Sequence, residues 1–127
     1  MQESPDAIKD QDAEHPVAGV WRPAFREIVR AITRGGDLLP QNIPGLRSVD
    51  PATVERMRAY VASYGATLVD LPDDSWLTSV AQWMDTHWEV MVDLWTAEEG
   101  RSDLVLHARV FEARDVYEIE IDGIWVP

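Results

Sequence analysis

The stretch WEVMVDLWTAEEGRSDLVLHARVFEARDVYEIEIDGIWV, residues 88–126, decides the fold of this chain. Apolar and polar residues alternate three times within it, over 88–95, 103–112 and 117–126, and short turn-like segments separate the three runs. Alternation with a period of two is typical of a strand that buries one of its faces. The stretch therefore predicts three consecutive strands that form an antiparallel meander.

The same alternation assigns each strand residue to one face of the sheet, because successive side chains point to opposite sides. The apolar face is expected to pack on helices, and it carries Trp88, Val90, Val92, Leu94, Leu104, Leu106, Ala108, Val110, Tyr117, Ile119 and Ile121. The opposite face, here called the outer sheet face, carries Glu89, Met91, Asp93, Trp95, Val105, His107, Arg109, Phe111, Glu118, Glu120 and Asp122.

Turn positions predict the cross-strand pairs on the outer sheet face. A tight turn at Arg114-Asp115 places three pairs opposite each other, namely Phe111 with Glu118, Arg109 with Glu120 and His107 with Asp122. The longer turn near residues 98–101 allows Asp93 to pair with His107, or Glu89 with Arg109. In both registers His107 and Arg109 lie among carboxylates.

Two amphipathic helices are predicted before the meander. The first buries a stripe with helical spacing and stops at Gly35-Gly36, and the stripe is Trp21, Phe25, Ile28, Val29 and Ile32. The second begins at Asp50-Pro51 and ends before Gly65, and its stripe is Val54, Met57, Val61 and Tyr64. The chain is therefore expected to be of the α+β class, with two N-terminal helices packed on one face of the sheet.

Two further segments complete a sheet of four to five strands that is mainly antiparallel. Residues 66–71 predict a short strand, and residues 76–84 fit either a strand or a helix, of which the strand is preferred. Residues 1–16 hold five acids against Lys9 and no apolar period, which predicts a disordered acidic tail. Residues 17–127 are predicted to form a single domain.

The formal charge of −12 is distributed unevenly. Residues 66–127 contain fourteen acids against three Arg, whereas residues 17–65 contain four acids against seven Arg. Phosphate binding needs Lys and Arg, so neither nucleic acid nor an anionic membrane is expected as a partner of the sheet half. A basic protein is the partner that this charge favours, and the absence of Cys and of a long apolar run indicates a cytoplasmic protein.

Catalytic motifs are absent from the sequence. There is no Gly-rich phosphate loop, no Gly-x-Ser-x-Gly elbow and no His-Glu-x-x-His pair. No catalytic residue, no metal ligand and no cofactor is therefore predicted, and the chain is not expected to be an enzyme. The alternative function is a small-ligand-binding domain or an enzyme with a polar pocket around His107, Asp93 and Asp122, in which carboxylates orient the imidazole. A cross-strand ladder of surface charges explains the same residues more simply.

One of the six tryptophans is expected to differ from the others. Strand parity places Trp95 on the outer sheet face with Met91 and Phe111, whereas the other five tryptophans are expected to be packed. Aromatic anchors within a charged frame are typical of protein interfaces. The predicted partner-binding residues are Glu89, Met91, Asp93, Trp95, His107, Arg109, Phe111, Glu118 and Glu120.

A stripe of arginines runs along the first helix at four-residue intervals, Arg22, Arg26, Arg30 and Arg34. It is interpreted as a solvated face, or as a surface that meets the acidic sheet of another copy. A homodimer therefore stays open as a second kind of assembly.

Part of the sheet half resembles a family of short bacterial proteins of unknown function. The residues that carry the resemblance are Gln82-Trp83, Trp88, the run 90–104 and the closing Trp125-Val126-Pro127. The resemblance covers about residue 20 to the end, and it implies a bacterial single-domain protein without assigning an activity. A binding module, most concretely an immunity-like or antitoxin-like inhibitor of a basic protein, is the function that these observations favour.

Overall fold

The computed structural model describes residues 5–127, and its strands form one five-stranded sheet in the order of the sequence. The strands are β1 (His15–Pro16), β2 (Val80–Trp83), β3 (Trp88–Thr96), β4 (Gly100–Ala113) and β5 (Val116–Trp125). The helices are α1 (Arg22–Thr33) and α2 (Pro51–Tyr64). All neighbouring strands are antiparallel. The predicted α+β class, with two helices and a C-terminal meander, is confirmed.

Both helices begin and end at the residues that the sequence indicated. α1 follows a short 3-10 turn over Gly19–Trp21 and carries Pro23 in its first turn. The Asp50 carboxylate caps α2 by accepting a hydrogen bond of 2.9 Å from the backbone N–H of Ala52. Gly65 ends α2 in a left-handed conformation, with φ of 86°.

The two helices differ in how much they bury. α1 buries four side chains of its predicted stripe, Phe25, Ile28, Val29 and Ile32. α2 fully buries only Met57, while Val54, Val61 and Tyr64 pack against the core with one side still accessible. α1 is therefore the helix whose packing contributes more to the core.

The inner face of the sheet has the predicted register. Its buried side chains are Trp88, Val90, Val92, Leu94, Leu104, Leu106, Ala108, Val110, Ile119 and Ile121. Trp88 lies at the centre of an aromatic cluster, with ring centroids 5.0 Å from Trp21, 4.6 Å from Trp83 and 6.0 Å from Tyr117. This cluster joins the 3-10 turn that precedes α1 to the sheet.

A β-bulge changes one of the predicted pairs on the outer sheet face. Ala108 pairs with Ile121, but the next pair along the two strands is His107 with Gly123, so the predicted pair between His107 and Asp122 is wrong. Asp122 is the extra residue of the bulge, and Gly123 provides the unusual backbone with φ of 155°. The pairs of Glu89 with Arg109, Arg109 with Glu120 and Phe111 with Glu118 are confirmed.

Two segments before the meander differ from the expected strands. Residues 66–71 form no strand, and only Leu68 makes an isolated bridge, with Thr96. β2 pairs with only the first part of β3. Residues 67–69 cover the remaining edge through two backbone hydrogen bonds, in which the N–H of Val69 donates to the Trp95 carbonyl and the N–H of Ala97 donates to the Thr67 carbonyl. In 76–84 the preferred strand is correct for Val80–Trp83, whereas Trp76 and Leu77 belong to a 3-10 turn, Asp73–Leu77.

Residues 5–16, here called the N-terminal strap, lie against the sheet, which differs from the predicted disordered tail. His15 and Pro16 pair with Ala81 and Val80, and the Ile8 carbonyl accepts a hydrogen bond of 2.9 Å from the Trp88 indole. The remaining residues of that predicted tail, 1–4, lie outside the described residues. Much of the attachment is made by backbone groups, so the periodicity of side chains gave no signal for it.

Candidate functional site

The outer sheet face is solvent-accessible along its whole length. Ten of its eleven residues keep intermediate exposure, and Val105 alone is buried, with 5% of its surface accessible. The inner residues of the same strands are buried under the helices. The accessible face is therefore a regular surface on which another molecule can dock.

A loop segment brings one additional cation onto this face. Leu46 bridges Ile119 of the edge strand β5, and Ile119 exchanges backbone hydrogen bonds with Gly45 and Arg47, of 2.7 and 2.8 Å. Gly45 has φ of 83°, and a Cβ atom there would lie 2.7 Å from the Tyr117 carbonyl oxygen, so the approach needs glycine. This pairing fixes the position of Arg47 beside β5.

The Arg47 guanidinium neutralises part of the acidity that the sequence assigned to β5. It lies 2.9 Å from a Glu118 carboxylate oxygen and 3.2 Å from a Glu120 carboxylate oxygen. Its Cζ also lies 4.1 Å from the centroid of the Phe111 ring, which adds a cation–π contact. Sequence reasoning missed Arg47, because a loop residue far along the chain has no periodic signal that ties it to a strand.

Arg109 is the second cation of this region and lies among three carboxylates. Its nitrogens are 3.4 Å from Asp122, 3.7 Å from Glu89 and 4.0 Å from Glu120. These distances are long for hydrogen bonds, and the buried Nε atom of Arg109 has no hydrogen-bond partner among the described residues. Arg109 therefore neutralises part of the negative charge of these carboxylates, while its Nε donor stays without a hydrogen bond in the described part of the chain.

We call this region the paired end of the outer sheet face. Its members are Arg47, His87, Glu89, Arg109, Phe111, Glu118, Glu120 and Asp122. His87 joins it through a 3.1 Å contact with Glu89 and through its ring, 5.2 Å from Phe111. Burial raises the pKa of Asp122, as do the charges of Glu89 and Glu120, although Arg109 and His87 lower it.

The other end of the face is richer in apolar side chains, although Asp93 and Arg101 also lie there, opposite Val105 and Trp95. Beyond the bulge the parity of β5 changes, so that Gly123 and Trp125 lie opposite the outer residues His107 and Val105. Trp125 was expected to be packed, yet 38% of it is exposed. With its neighbours it forms what we call the apolar end: Met91, Trp95, Val105, His107 and Trp125.

The predicted anchor residues are therefore divided between the two ends. Phe111 lies one position beyond the Trp88–Val110 pair, whereas Trp95 pairs with Arg101 near the opposite end of β3. At roughly 3.3 Å per residue the two aromatic residues are about 25 Å apart along the strand. Trp95 and Trp125 therefore lie toward the same end of the face, and Phe111 lies toward the other end.

His107 belongs to the apolar end through its stack on Trp125. The two rings are 3.8 Å apart and nearly parallel, at 7°. Its Nε2 atom is buried and has no hydrogen-bond partner among the described residues. Burial lowers the pKa of His107, although a backbone hydrogen bond with Trp125 and the charge of Glu89 act in the opposite direction.

The lowered pKa of His107 predicts that protonation destabilises the fold. In the unfolded chain the imidazole has a pKa near 6.5, so as the pH falls it binds a proton at a higher pH than it does in the folded chain. The contribution of His107 to the stability of the fold is therefore retained above about pH 6.5 and is lost as the pH falls below that value. Replacing His107 by Phe keeps the stack and removes this titration. We expect urea unfolding at pH 7.5 and pH 5 to show a smaller pH dependence for His107→Phe than for the wild type; equal dependence would contradict this assignment.

Asp93, His107 and Asp122 are not brought together as a pocket. Asp93 pairs with Val105 and lines a cavity of about 280 Å³ with Arg101 and Asp103. Asp122 lines a different cavity, of about 190 Å³, beside Tyr60 of α2, and His107 lines neither. Within residues 5–127 no group of three or more His, Asp or Glu side chains is arranged to hold a metal ion.

Asp93 is held firmly by its backbone. Its N–H donates to the Ser79 hydroxyl at 2.9 Å, and its carbonyl accepts from the Ser75 hydroxyl at 2.7 Å. Both serines are buried. The Asp93 carboxylate makes no ion pair with another described residue, so it is the acid of this face whose charge is least balanced.

The arginine stripe of α1 is engaged within the chain. Arg26 pairs with Asp73, and Arg34 pairs with Asp70 at 3.1 Å. Arg30 lies 2.9 Å from Glu27, and the Arg22 guanidinium lies 5.2 Å from the centroid of the Trp76 ring. Acids and an aromatic ring of the chain itself therefore contact these four arginines.

The comparisons with known proteins identify a family but no activity. The family model "Domain of unknown function (DUF7668)" matches residues 29–127. No curated protein and no solved structure matches the chain. In the part of the chain that the structure describes, no helix is long and apolar enough to cross a membrane.

Proposed function

We propose that this chain, which belongs to the family of the Domain of unknown function (DUF7668), is a protein-binding module that receives a basic protein on its outer sheet face. The observation that carries the proposal is the division of one accessible face into an apolar end and a paired, acidic end. Protein interfaces commonly combine a central aromatic anchor with a charged rim.

The apolar end supports the proposal because its side chains are already ordered. His107 and Trp125 are stacked, and Val105 is buried between the strands. A surface that is rigid before binding loses little conformational entropy on association. Trp95 and Trp125 are large side chains with few rotatable bonds, which makes them suitable anchors for a partner.

The charge of the face supports a basic partner. With Arg47 and Arg101 included, the face carries five carboxylates against three arginines, and the whole chain carries a formal charge of −12. An excess of one charge accelerates encounters with the opposite charge and disfavours partners of the same sign. Rapid capture of a basic protein is what an immunity-like or antitoxin-like inhibitor in a bacterial cytoplasm requires, and we propose that class of function.

The charge of the face predicts opposite kinetic effects for two substitutions. Arg47→Gln releases Glu118 and Glu120 from their ion pairs and is expected to speed association, whereas Asp93→Lys removes an unbalanced acid and is expected to slow it. Each change should be several-fold at low salt and smaller at high salt, because salt screens exposed charges. Affinity capture from cells that encode the chain provides the partner, and stopped-flow mixing measures the rates.

A matched control comes from the helical side of the molecule. Glu55 is an exposed acid of α2, so Glu55→Lys changes the net charge as Asp93→Lys does but does not touch the outer sheet face. Its effect on the association rate should be clearly smaller. If all three variants associate at the wild-type rate, the acidic face does not guide the partner and the proposal is wrong.

A further inference from the structure

The N-terminal strap makes contacts that resemble those of a bound peptide. Its Ile8 carbonyl accepts a hydrogen bond from the buried Trp88 ring at 2.9 Å, and its Gln11 carbonyl accepts one from Gln82 at 2.8 Å. At its end, β1 extends the sheet by pairing with the edge strand β2. Addition of a strand to a sheet edge is a common way to bind an extended segment, since main-chain hydrogen bonds supply the affinity.

One side chain of the strap is recognised by two groups at once. The Lys9 ammonium lies 2.8 Å from a Glu112 carboxylate oxygen and 5.1 Å from the centroid of the Trp83 ring. A carboxylate and an aromatic face together favour a cation over any neutral side chain. We call Trp83, Trp88 and Glu112, with the edge of β2, the edge site.

The strap itself is a poor occupant of the edge site. None of the residues 5–16 is fully buried, and the first buried residues that follow are Val17 and Ala18. Residues 5–16 contain four acids against one Lys, and they lie against a sheet half with fourteen acids against three Arg. A segment with few buried contacts and an unfavourable charge is expected to detach more easily than the core.

The strap also lies outside the family match, whereas the edge site lies inside it. The match begins at residue 29, and it includes Trp83, Trp88 and Glu112. The receiving groups therefore belong to the domain that defines the family. The segment that occupies them belongs to the preceding part of this chain.

We propose that the edge site binds an extended basic segment of the protein partner, which displaces the N-terminal strap. The segment adds to β2 as a strand, offers a backbone carbonyl to the Trp88 indole and places a Lys or Arg between Trp83 and Glu112. The partner segment carries further cations where the strap carries acids, so the acidic sheet half attracts this segment instead of repelling it. The basic character of the partner is taken from the proposed function, and the inference rests on it to that extent. The residues of the edge site are different from those of the outer sheet face.

A synthetic peptide tests the edge site on the full chain. The probe is the sequence of residues 5–16 in which Asp6, Asp12 and Glu14 are each replaced by Lys; a scrambled peptide of the same composition is the reference. Calorimetric titration should detect binding of the probe and at least about 10-fold weaker binding of the scrambled peptide. Equal binding of the two peptides would mean non-specific attraction and would overturn the proposal.

Two protein variants test the mechanism of displacement. Lys9→Glu removes the ion pair and the cation–π contact of the strap, so the probe should bind about 3- to 10-fold more tightly. Arg56→Glu makes the same change of charge on α2 and should alter the affinity less. Glu112→Gln added to Lys9→Glu should weaken binding of the probe, because the strap of that variant no longer uses Glu112 and the probe still does. An affinity that is unchanged both by Lys9→Glu and by the added Glu112→Gln would overturn the proposal.

The outcomes separate this inference from the proposed function. Asp93→Lys should slow association of the protein partner and leave binding of the probe within about 2-fold, because Asp93 lies outside the edge site. Failure of the probe alone would overturn the edge site and leave the outer sheet face supported. A concentration-dependent dimer of the wild-type chain in light scattering, without probe binding, would instead identify the strap of a second copy as the occupant and would overturn the assignment to a basic partner.

Discussion

Replacing Trp88 by Ala is expected to lower the free energy of unfolding by about 3 to 5 kcal/mol, the range for truncation of a large buried aromatic residue. Only 1% of Trp88 is exposed, and its ring contacts Trp21, Trp83 and Tyr117. Its removal leaves a cavity where α1 meets the sheet. Equilibrium unfolding in urea, followed by circular dichroism, measures the loss.

A surface tryptophan provides the control for this prediction. Trp125 keeps 38% exposure and stacks on His107, so Trp125→Ala should cost clearly less stability than Trp88→Ala. Trp88→Phe retains most of the ring and loses the indole N–H that bonds Ile8, so its cost should be intermediate. Similar losses for Trp88→Ala and Trp125→Ala would contradict the assignment of Trp88 to the centre of the core.

The inner face of the sheet was predictable from the sequence because burial imposes a period of two on each strand. Val90, Val92 and Leu94 alternate with the outward-facing residues Met91 and Asp93, and no other register buries all three. The helices were predictable for a similar reason, since Asp50-Pro51 and Gly65 mark the two ends of α2. Local chemistry therefore fixed both the elements and the side of the sheet on which the helices lie.

The outer sheet face was predictable only up to the bulge. Strand parity placed Glu89, Arg109 and Glu120 correctly in one row, because no irregularity separates them. The extra residue Asp122 then reverses the parity of β5, and this reversal moves Trp125 onto the outer face. Gly123 is the signal in the sequence that could have indicated a bulge, since glycine inside a strand often marks one.

Long-range contacts account for the remaining differences. Arg47 reaches the face because a loop pairs with β5, and the N-terminal strap is attached largely through the carbonyls of Pro5, Ile8 and Gln11. Neither contact depends on a repeating side-chain pattern. Periodicity reports which side of an element is buried, and it carries no information on which distant backbone groups meet.

The apolar end of the outer sheet face leads to the second large expected effect. Trp95→Ala should weaken binding of the partner by about 2 kcal/mol or more, or roughly 30-fold, the effect of truncating an aromatic anchor. Trp95 is half-buried on the outer face, and its indole Nε1 has no hydrogen-bond partner among the described residues. The Nε1 atom itself is buried, so a partner gains apolar burial by covering the accessible part of the ring.

The loss should appear mainly in the dissociation rate, because the charges that guide the encounter are unchanged in Trp95→Ala. Surface plasmon resonance with the captured partner separates the association rate from the dissociation rate.

Trp95→Phe, which retains an apolar ring, should recover part of the affinity. Phe111→Ala is the matched aromatic control at the paired end, about 25 Å away along the strand, and it should speed dissociation much less. If Trp95→Ala leaves the dissociation rate unchanged while its unfolding curve matches the wild type, the apolar end is not where the partner is held.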